Sequence, residues 1–185
     1  MIERTRRKSY IQAMENILPI LQPPHPALRA KTRRITPADA QTLTVLIPQM
    51  FATMYAAPGI GLAAPQVGTA LRLAIIDLHP DDMPAPMVLI NPEIVGVSEE
   101  WAAREEGCLS LPGHYADVSR PAQVRVRYAD QAGSMQEIEA EGLLAACLQH
   151  EIDHLDGVLF VDHISTLKRN MILRKLAKER KLRAG

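Results

Sequence analysis

Apolar residues recur at helical spacing in the first third of the chain. They predict a helix that begins after Thr36, with Pro37 in its first turn, where proline's missing N–H would have no partner anyway. Pro48 predicts a kink or a break within this helix, because proline removes a backbone hydrogen bond. The apolar face of the helix is made of Leu43, Leu46, Met50 and Met54.

Mostly apolar or alternating segments predict strands in the middle of the chain. Residues 71–78 are typical of a buried strand, and shorter strands are predicted at 88–90 and 94–97. Within 124–128, apolar residues alternate with arginines, which indicates a half-exposed strand. A turn follows this strand, so we expect residues 135–140 to be its hairpin partner.

Two further helices are predicted in the last third of the chain. Residues 143–155 carry apolar side chains on several sides, which favours a buried helix, whereas 166–183 is typical of a terminal amphipathic helix. Strands flanked by helices in this order predict the α+β class. We expect a single domain with mainly antiparallel sheets around a central helix at 143–155 and a C-terminal helix.

Composition narrows the setting but does not identify a function. The 185 residues are enough for one globular domain, and 21 basic residues balance 21 acidic ones. A formal net charge of zero gives no global attraction to nucleic acid or to a membrane surface. No apolar stretch approaches the roughly 20 residues of a membrane span, and we expect a monomer.

The ends of the chain and its two cysteines suggest an intracellular domain. We expect residues 1–13 to form a flexible tail and residues 14–185 to form the folded domain. Cys108 and Cys147 do not make a disulfide framework, which suits the reducing cytoplasm. The segment at 1–13 is basic but lacks the apolar run of a secretory signal.

The clearest chemical motif lies on the central helix. His150, Glu151 and His154 fit the pattern H-E-x-x-H. Residues four apart lie on one helix face, so both imidazoles can reach one cation. Glu151 lies beside that position, where a carboxylate can take a proton from a water molecule. Two histidines meeting at this spacing by chance is the alternative, but a buried helix gives His and Glu reason to have partners.

A catalytic metal site needs a third protein ligand. One protease class has a histidine six residues after the second, but Phe160 occupies that position here. Glu179, the only acidic residue in 167–183, has basic neighbours and is interpreted as a solvated charge. A zinc peptidase of another class is therefore disfavoured, and Cys108 is the candidate ligand. Taken alone, Cys108 is equally compatible with a structural thiol.

A glycine- and proline-rich segment at 59–66 is the third feature. Its G-x-G is not followed by a third glycine, so a phosphate cradle is disfavoured. The segment could be a turn that enters the strand at Leu71. Alternatively, its backbone could approach an extended substrate closely, with Gln66 as a nearby amide donor.

Taken together, the motifs resemble the peptide deformylase family. The likeness rests on GIGLAAPQ at 59–66, EGCLS at 106–110 and QHEIDHLDG at 149–157, in that order. It implies a deformylase fold and removal of the N-formyl group from formylmethionine at the start of newly synthesised polypeptides. The alternative, a metal- or ribosome-binding module without activity, is disfavoured because every proposed catalytic residue is present.

The resemblance also implies a role for each site residue. Cys108, His150 and His154 would be the metal ligands, with water as the fourth. Glu151 would be the general base that activates this water to attack the formyl carbon. Gln66 and the backbone N–H of Leu109 would stabilise the oxyanion, and the Gly61 backbone would pair with the substrate peptide.

The resemblance extends to the metal and to partners. It favours Fe(II), with Zn, Ni or Co as possible substitutes, because a Cys/His₂ set does not itself select the metal. Many bacterial relatives carry a basic residue near the substrate mouth, where this chain has Tyr115, although Arg120 is close in sequence. The eight basic residues in 167–183 form either a solvated helix face or a docking surface for ribosomal RNA.

Overall fold

The computed structural model describes residues 17–79 and 83–183. The predicted tail at 1–13 lies outside the described residues, and the extent of the domain, 14–185, stays a prediction. Three α-helices are present in the described part: α1 (Ala40–Ala56), α2 (Gly142–Leu155) and α3 (Thr166–Arg183). The described strands are β1 (Gly61–Ala63), β2 (Leu73–Ile76), β3 (Met87–Val97), β4 (Trp101–Gly107), β5 (Tyr115–Pro121), β6 (Gln123–Ala129) and β7 (Met135–Glu141).

All pairs of neighbouring strands run antiparallel. The larger sheet has the order β1-β2-β3-β6-β7, and β4 and β5 form a separate two-stranded sheet. The predicted hairpin between 124–128 and 135–140 is confirmed, since β6 and β7 pair in register from Gln123–Glu141 to Ala129–Met135. The predicted α+β class, with a C-terminal helix, is confirmed.

Helix α1 differs in one respect from its prediction. A single turn of 3₁₀ helix at Pro37–Asp39 precedes it, and α1 then continues without a break through Pro48. Pro48 is exposed, while Leu46, Ile47 and Met50 on the other side are buried. Burial of the apolar face therefore keeps the helix together where proline removes one hydrogen bond.

Strand β3 replaces the two short strands predicted at 88–90 and 94–97. The strand continues through Asn91, which has a φ of 53°, and the register with β6 shifts between Ile90 and Glu93. Such an irregularity accommodates Pro92 within the strand, because proline cannot donate to the ladder. At this break in the pairing of β3 with β6, the side-chain amide of Asn91 donates a hydrogen bond to Ile35 O at 2.9 Å.

The apolar pattern did not predict β1 or the β4–β5 hairpin. Strand β1 is only three residues long and begins with glycine. In β4, only Glu106 is buried, so the strand carries no apolar alternation. Both segments owe their extended form to pairing with a neighbouring strand.

The central position of α2 explains why it is apolar on several sides. It packs against β1, β2, β6 and β7, with Leu148 and Leu155 completely buried. A second core lies under α1, and a third joins α3 to the segment around Phe160. Truncating Leu148 to Ala would cost about 2–5 kcal/mol, as is usual for a buried leucine. In the described part of the chain, no helix combines the length and apolar character needed to cross a membrane.

Candidate metal centre and substrate groove

Helix α2 places His150 and His154 one turn apart on the same face. Both side chains are buried. The Sγ atom of Cys108 lies 3.1 Å from His154 Nε2. One ligand atom from each of these three residues lies within 4.8 Å of the other two. The structure therefore brings together the three residues that the sequence suggested as ligands.

The chain turns sharply at Cys108 as it leaves β4. Leu111 N donates to Cys108 O at 2.8 Å, which closes this turn. Gly107 precedes the cysteine, and a Cβ at this position would lie 2.5 Å from the ring of Tyr115. Only glycine allows this close approach, so Gly107 lets the Tyr115 ring lie across the strand end that carries Cys108.

Glu106 fixes the orientation of His150. Its Oε2 lies 2.9 Å from His150 Nδ1, which directs Nε2 towards the cysteine. Burial opposes the charge on Glu106, but hydrogen bonds from His150 and Arg120 lower the pKa of this carboxyl to about 2. Burial alone would lower the pKa of His150, but its contacts with Cys108 and Glu106 raise it overall.

Arg120 lies inside the protein and not at the substrate mouth suggested by its place in the sequence. Its Nε donates to Glu106 at 2.6 Å, and a terminal nitrogen donates to Asp153 at 2.7 Å. The same Asp153 oxygen lies 2.7 Å from His163 Nε2. Arg120 therefore ties the hairpin to helix α2 and is not available to a peptide. No periodic pattern of residues predicts this network.

His154 differs from His150 in its surroundings. Burial lowers the pKa of His154 well below its usual value, so the ring is neutral, as a metal ligand must be. Its Nδ1 atom is buried and has no hydrogen-bond partner among the described residues. Among the described residues, a hydrogen bond at Nδ1 therefore orients the ring of His150 but not that of His154.

Glu151 lies beside the two histidines and is held against β1. It is 4% exposed, and burial raises its pKa to about 7. Its Oε2 atom has no hydrogen-bond partner in the described part of the chain. A Cβ on Gly61 would overlap Glu151 Oε1 and would lie 3.0 Å from Cys147 Sγ. The glycine therefore provides the space that this carboxylate occupies.

Gln66 is buried with its amide in a fixed orientation. Its Oε1 accepts a hydrogen bond from Ala63 N at 2.8 Å. This contact directs Nε2 to the other side, where it lies 3.4 Å from Cys108 Sγ and 3.2 Å from Ser110 Oγ. Among the described residues, none accepts a hydrogen bond from the backbone N–H of Leu109, the residue after the cysteine. Two donors thus lie beside the candidate centre.

A groove of about 920 Å³ opens beside these residues. One wall is the edge of β1, which pairs on its other side with β2, and the opposite wall is the edge of β4. Asp77 N donates to Ile60 O, so Gly61 and Ile76 are a non-hydrogen-bonded pair. The N–H and C=O of Gly61 therefore face away from β2, towards the groove.

Tyr115 and His114 also line the groove, and Glu179 of helix α3 lies against His114. Tyr115 is 63% exposed and lines the groove with its ring against Gly107. His114 is buried, and its Nε2 lies 3.4 Å from Glu179 Oε2 of helix α3. Glu179 was interpreted as a solvated surface charge; its side chain is half-buried and lies against His114, a residue of the groove wall.

The chemistry of the three candidate ligands fits a divalent metal ion. A thiolate sulfur and two imidazole nitrogens are typical donors for zinc or ferrous iron. One ligand atom of each residue lies within 4.8 Å of the other two, with 3.1 Å between Cys108 Sγ and His154 Nε2, so the three side chains could hold a single ion. Glu151, whose Oε2 has no hydrogen-bond partner among the described residues, lines the groove beside them.

Comparisons with known proteins agree with this geometry. The family described as polypeptide deformylase matches residues 17–170. A peptide deformylase from Mesorhizobium japonicum is 56% identical over 163 residues, which cover 88% of this chain and 92% of that protein. The crystal structure of a peptide deformylase from Legionella pneumophila has a TM-score of 0.84 and 49% identity, covering 91% of this chain and 98% of that one.

A further solved structure is of a complex. It is a peptide deformylase from Synechococcus elongatus in complex with actinonin, with a TM-score of 0.81 and 46% identity. The alignment covers 86% of this chain and 88% of that one. The match over most of the chain, at about half identity, leads to one conclusion: this chain belongs to the polypeptide deformylase family.

Proposed function

We propose that this protein hydrolyses the N-formyl group of formylmethionine at the start of newly synthesised polypeptides and releases formate. The observation that carries the proposal is that three candidate metal ligands and a buried carboxylate meet at one end of the groove. Cys108, His150 and His154 would hold the metal there. The Glu151 carboxylate, whose Oε2 has no hydrogen-bond partner among the described residues, lies beside them. The groove offers two free strand edges to an extended peptide.

The metal would be held by Cys108 Sγ and by the Nε2 atoms of His150 and His154. When bound, a divalent cation would supply Lewis-acid chemistry, polarising the formyl oxygen and lowering the pKa of a neighbouring water molecule. Glu106 would keep His150 in the tautomer and orientation that ligation requires, because Nδ1–H donates to its carboxylate.

Glu151 would move the proton. Its carboxyl has a pKa near 7 because it is buried, so it can accept a proton from water and later return it to the leaving amine. The product amine is the free N-terminus of methionine. The contact between Glu151 and the Gly61 backbone would hold the carboxylate beside the scissile bond.

Gln66 and Leu109 would stabilise the charge that develops on the formyl oxygen. The bond from Ala63 N holds the Gln66 amide so that its NH₂ group faces the site. The N–H of Leu109, the residue after Cys108, would be a second donor. Donors fixed in advance lower the barrier without reorganisation, and each can contribute a few kcal/mol.

The peptide would bind as a strand between β1 and β4. Gly61 presents both its N–H and its C=O to the groove, so a peptide residue can pair with it in antiparallel fashion. Apolar side chains of Ile60, Leu143 and Cys147 line the groove next to His150. We propose that they contact the methionine side chain.

We propose Fe(II) as the native metal and the cytoplasm as the compartment. Both cysteines are free, and a thiolate ligand such as Cys108 must stay reduced to bind metal. Metal analysis of enzyme purified without oxygen should find iron. Zn, Ni or Co could replace it at the same donors, and gel filtration should show the monomer.

Helix α3 is proposed to bind the ribosome. It presents a basic surface on which most side chains are exposed, and Glu179 is turned inward towards His114. Affinity for ribosomes should fall as salt rises. Equal binding after deletion of residues 165–185 would contradict this proposal. Seven of the eight basic residues have described side chains: Lys168, Arg169, Arg174, Lys175, Lys178, Arg180 and Lys181.

A formate-release assay on formyl-Met-Ala-Ser tests the main proposal. Ferrous or nickel enzyme should release formate, and Glu151→Ala should lower kcat by about 10²–10⁴-fold while it retains metal. Glu99→Ala is the matched control, since Glu99 is exposed between β3 and β4 and does not line the groove. No release by the loaded enzyme would contradict the function, and full activity of Glu151→Ala would contradict the mechanism.

A further inference from the structure

Arg104 is a charged residue of the groove wall, and no described residue is its ionic partner. It is exposed on β4 and, among the described residues, forms no hydrogen bond or ion pair. In contrast, Arg120 on the same hairpin is buried and pairs with Glu106 and Asp153. The Arg104 guanidinium therefore has its hydrogen-bonding capacity available to a molecule in the groove.

The position of Arg104 is set by the alternation of side chains along β4. Arg104 and Glu106 are two residues apart, so they share the face of the hairpin that looks towards α2. An Nη2 atom of Arg104 lies 3.7 Å from the point where a Cβ on Gly142 would lie. Arg104 also lines a second cavity of about 350 Å³, which adjoins the groove.

A peptide strand beside β4 would present its side chains alternately to the two faces of the hairpin. If the formyl group lies at Cys108, the first side chain enters the apolar pocket along α2, next to His150. The third side chain then points to the same face, and the second points to the opposite face. Arg104 lies about 10 Å along the strand from Gly107, within reach of the third side chain.

We infer that Arg104 selects nascent chains that carry an acidic side chain at the third residue. The inference rests on the proposed deformylase function. A guanidinium pairs with a carboxylate through two parallel hydrogen bonds, which no neutral side chain reproduces. Glu105 is exposed on the opposite face, where it repels an acidic side chain at the second residue. Arg104 and Glu105 thus favour an acidic side chain at the third residue of the peptide and disfavour one at the second.

The test compares kcat/KM for formyl-Met-Ala-Glu-Ala, formyl-Met-Ala-Gln-Ala and formyl-Met-Glu-Ala-Ala. The full-length, metal-loaded enzyme should prefer Glu over Gln at position three by about two- to fivefold, the range of a solvent-exposed ion pair. Arg104→Gln should bring this ratio to about one, Arg104→Lys should retain part of it, and Arg104→Glu should reverse it. At about 1 M salt the preference should largely disappear.

Glu105→Gln is the matched control variant. It should raise kcat/KM for the peptide with Glu at position two and leave the ratio at position three unchanged. A ratio of one in the unaltered enzyme, or a ratio that Arg104→Gln does not change, would overturn the inference while formate release continues. Absence of release from all three peptides would instead overturn the proposed function, and the inference with it.

Discussion

The Oε2 atom of Glu106 lies 2.9 Å from Nδ1 of His150, which joins a strand of the hairpin to the central helix. The same carboxylate accepts two hydrogen bonds from Arg120, at 2.6 and 3.1 Å. Arg120 in turn reaches Asp153, one turn further along α2. The hairpin that carries Cys108 and the helix that carries both histidines are therefore held in one relative position.

Replacement of Glu106 by Gln should weaken metal binding. The amide cannot hold the His150 ring with a charged hydrogen bond, and it leaves buried Arg120 without one of its two carboxylates. Loss of such a supporting contact usually lowers metal affinity by about 10–100-fold. Competition with a chromophoric chelator measures the affinity directly, without recourse to activity.

The control for this variant is Glu105→Gln. Glu105 has the same side chain and precedes Glu106 on β4, but it is exposed. Its replacement should leave the affinity for metal unchanged. Equal affinity of Glu106→Gln and the unaltered protein would contradict the positioning role of Glu106.

Replacement of Gln66 by Ala should lower kcat by about 10²–10³-fold, the usual effect of losing one oxyanion donor. KM and metal content should change little, because Gln66 lies beside the centre without being one of the three candidate ligands. Steady-state kinetics with metal analysis separates these effects. Gln136→Ala, at an exposed position on β7, should retain full kcat. A variant of Gln66 that lost metal but kept its rate per bound ion would contradict the assignment.

Much of the fold can be predicted from the pattern of apolar residues, because an element that buries one face carries apolar residues at regular intervals. Helix α2 is buried along most of its length, and β6 alternates the buried residues Val124 and Val126 with exposed ones. Helix α2 and the β6–β7 hairpin were therefore predicted close to their observed bounds. The hairpin of β4 and β5 was missed because its buried residues include charged ones, Glu106 and Arg120. A polar network inside a protein has no periodic signal in a single sequence.

The candidate site also has one part that local sequence spacing predicts and another that depends on tertiary packing. The spacing of His150 and His154 predicts a shared cation, because the helix itself sets the distance between them. The meeting of Cys108 with these residues depends on how the hairpin packs against α2, which sequence spacing does not encode. The lack of a usable ligand after His154 pointed to Cys108, the family resemblance implied the same residue, and the structure brings its sulfur within 4.8 Å of a nitrogen of each histidine.

Replacement of Asp39 by Asn should destabilise the fold at neutral pH and less so in acid. Hydrogen bonds from Arg33 and Thr36 hold the pKa of this carboxyl well below its usual value. A lowered carboxyl pKa adds stability above the pKa of the unfolded state, about 4, and that stability is lost as pH falls. The difference in the denaturant concentration at half-unfolding between the unaltered protein and Asp39→Asn should therefore become smaller below about pH 4. Asp117→Asn, at an exposed position on β5, is the matched control, and a gap that does not change with pH would contradict the prediction.

Replacement of Gly61 by Ala should reduce activity more than stability. The new methyl group would overlap Glu151 Oε1 and press on Cys147, so the carboxylate must move. Overpacking of this kind costs about 1–3 kcal/mol of unfolding free energy, whereas misplacing a reacting group by about 1 Å can cost 10²-fold in rate.

Gly96→Ala is the matched control, because a Cβ there would lie 3.4 Å from its nearest neighbours on Arg125, at a strand position outside the groove. Formate release, thermal unfolding and metal content should be measured on both variants. A Gly61→Ala protein that retained its full rate would show that Glu151 need not occupy the space beside β1.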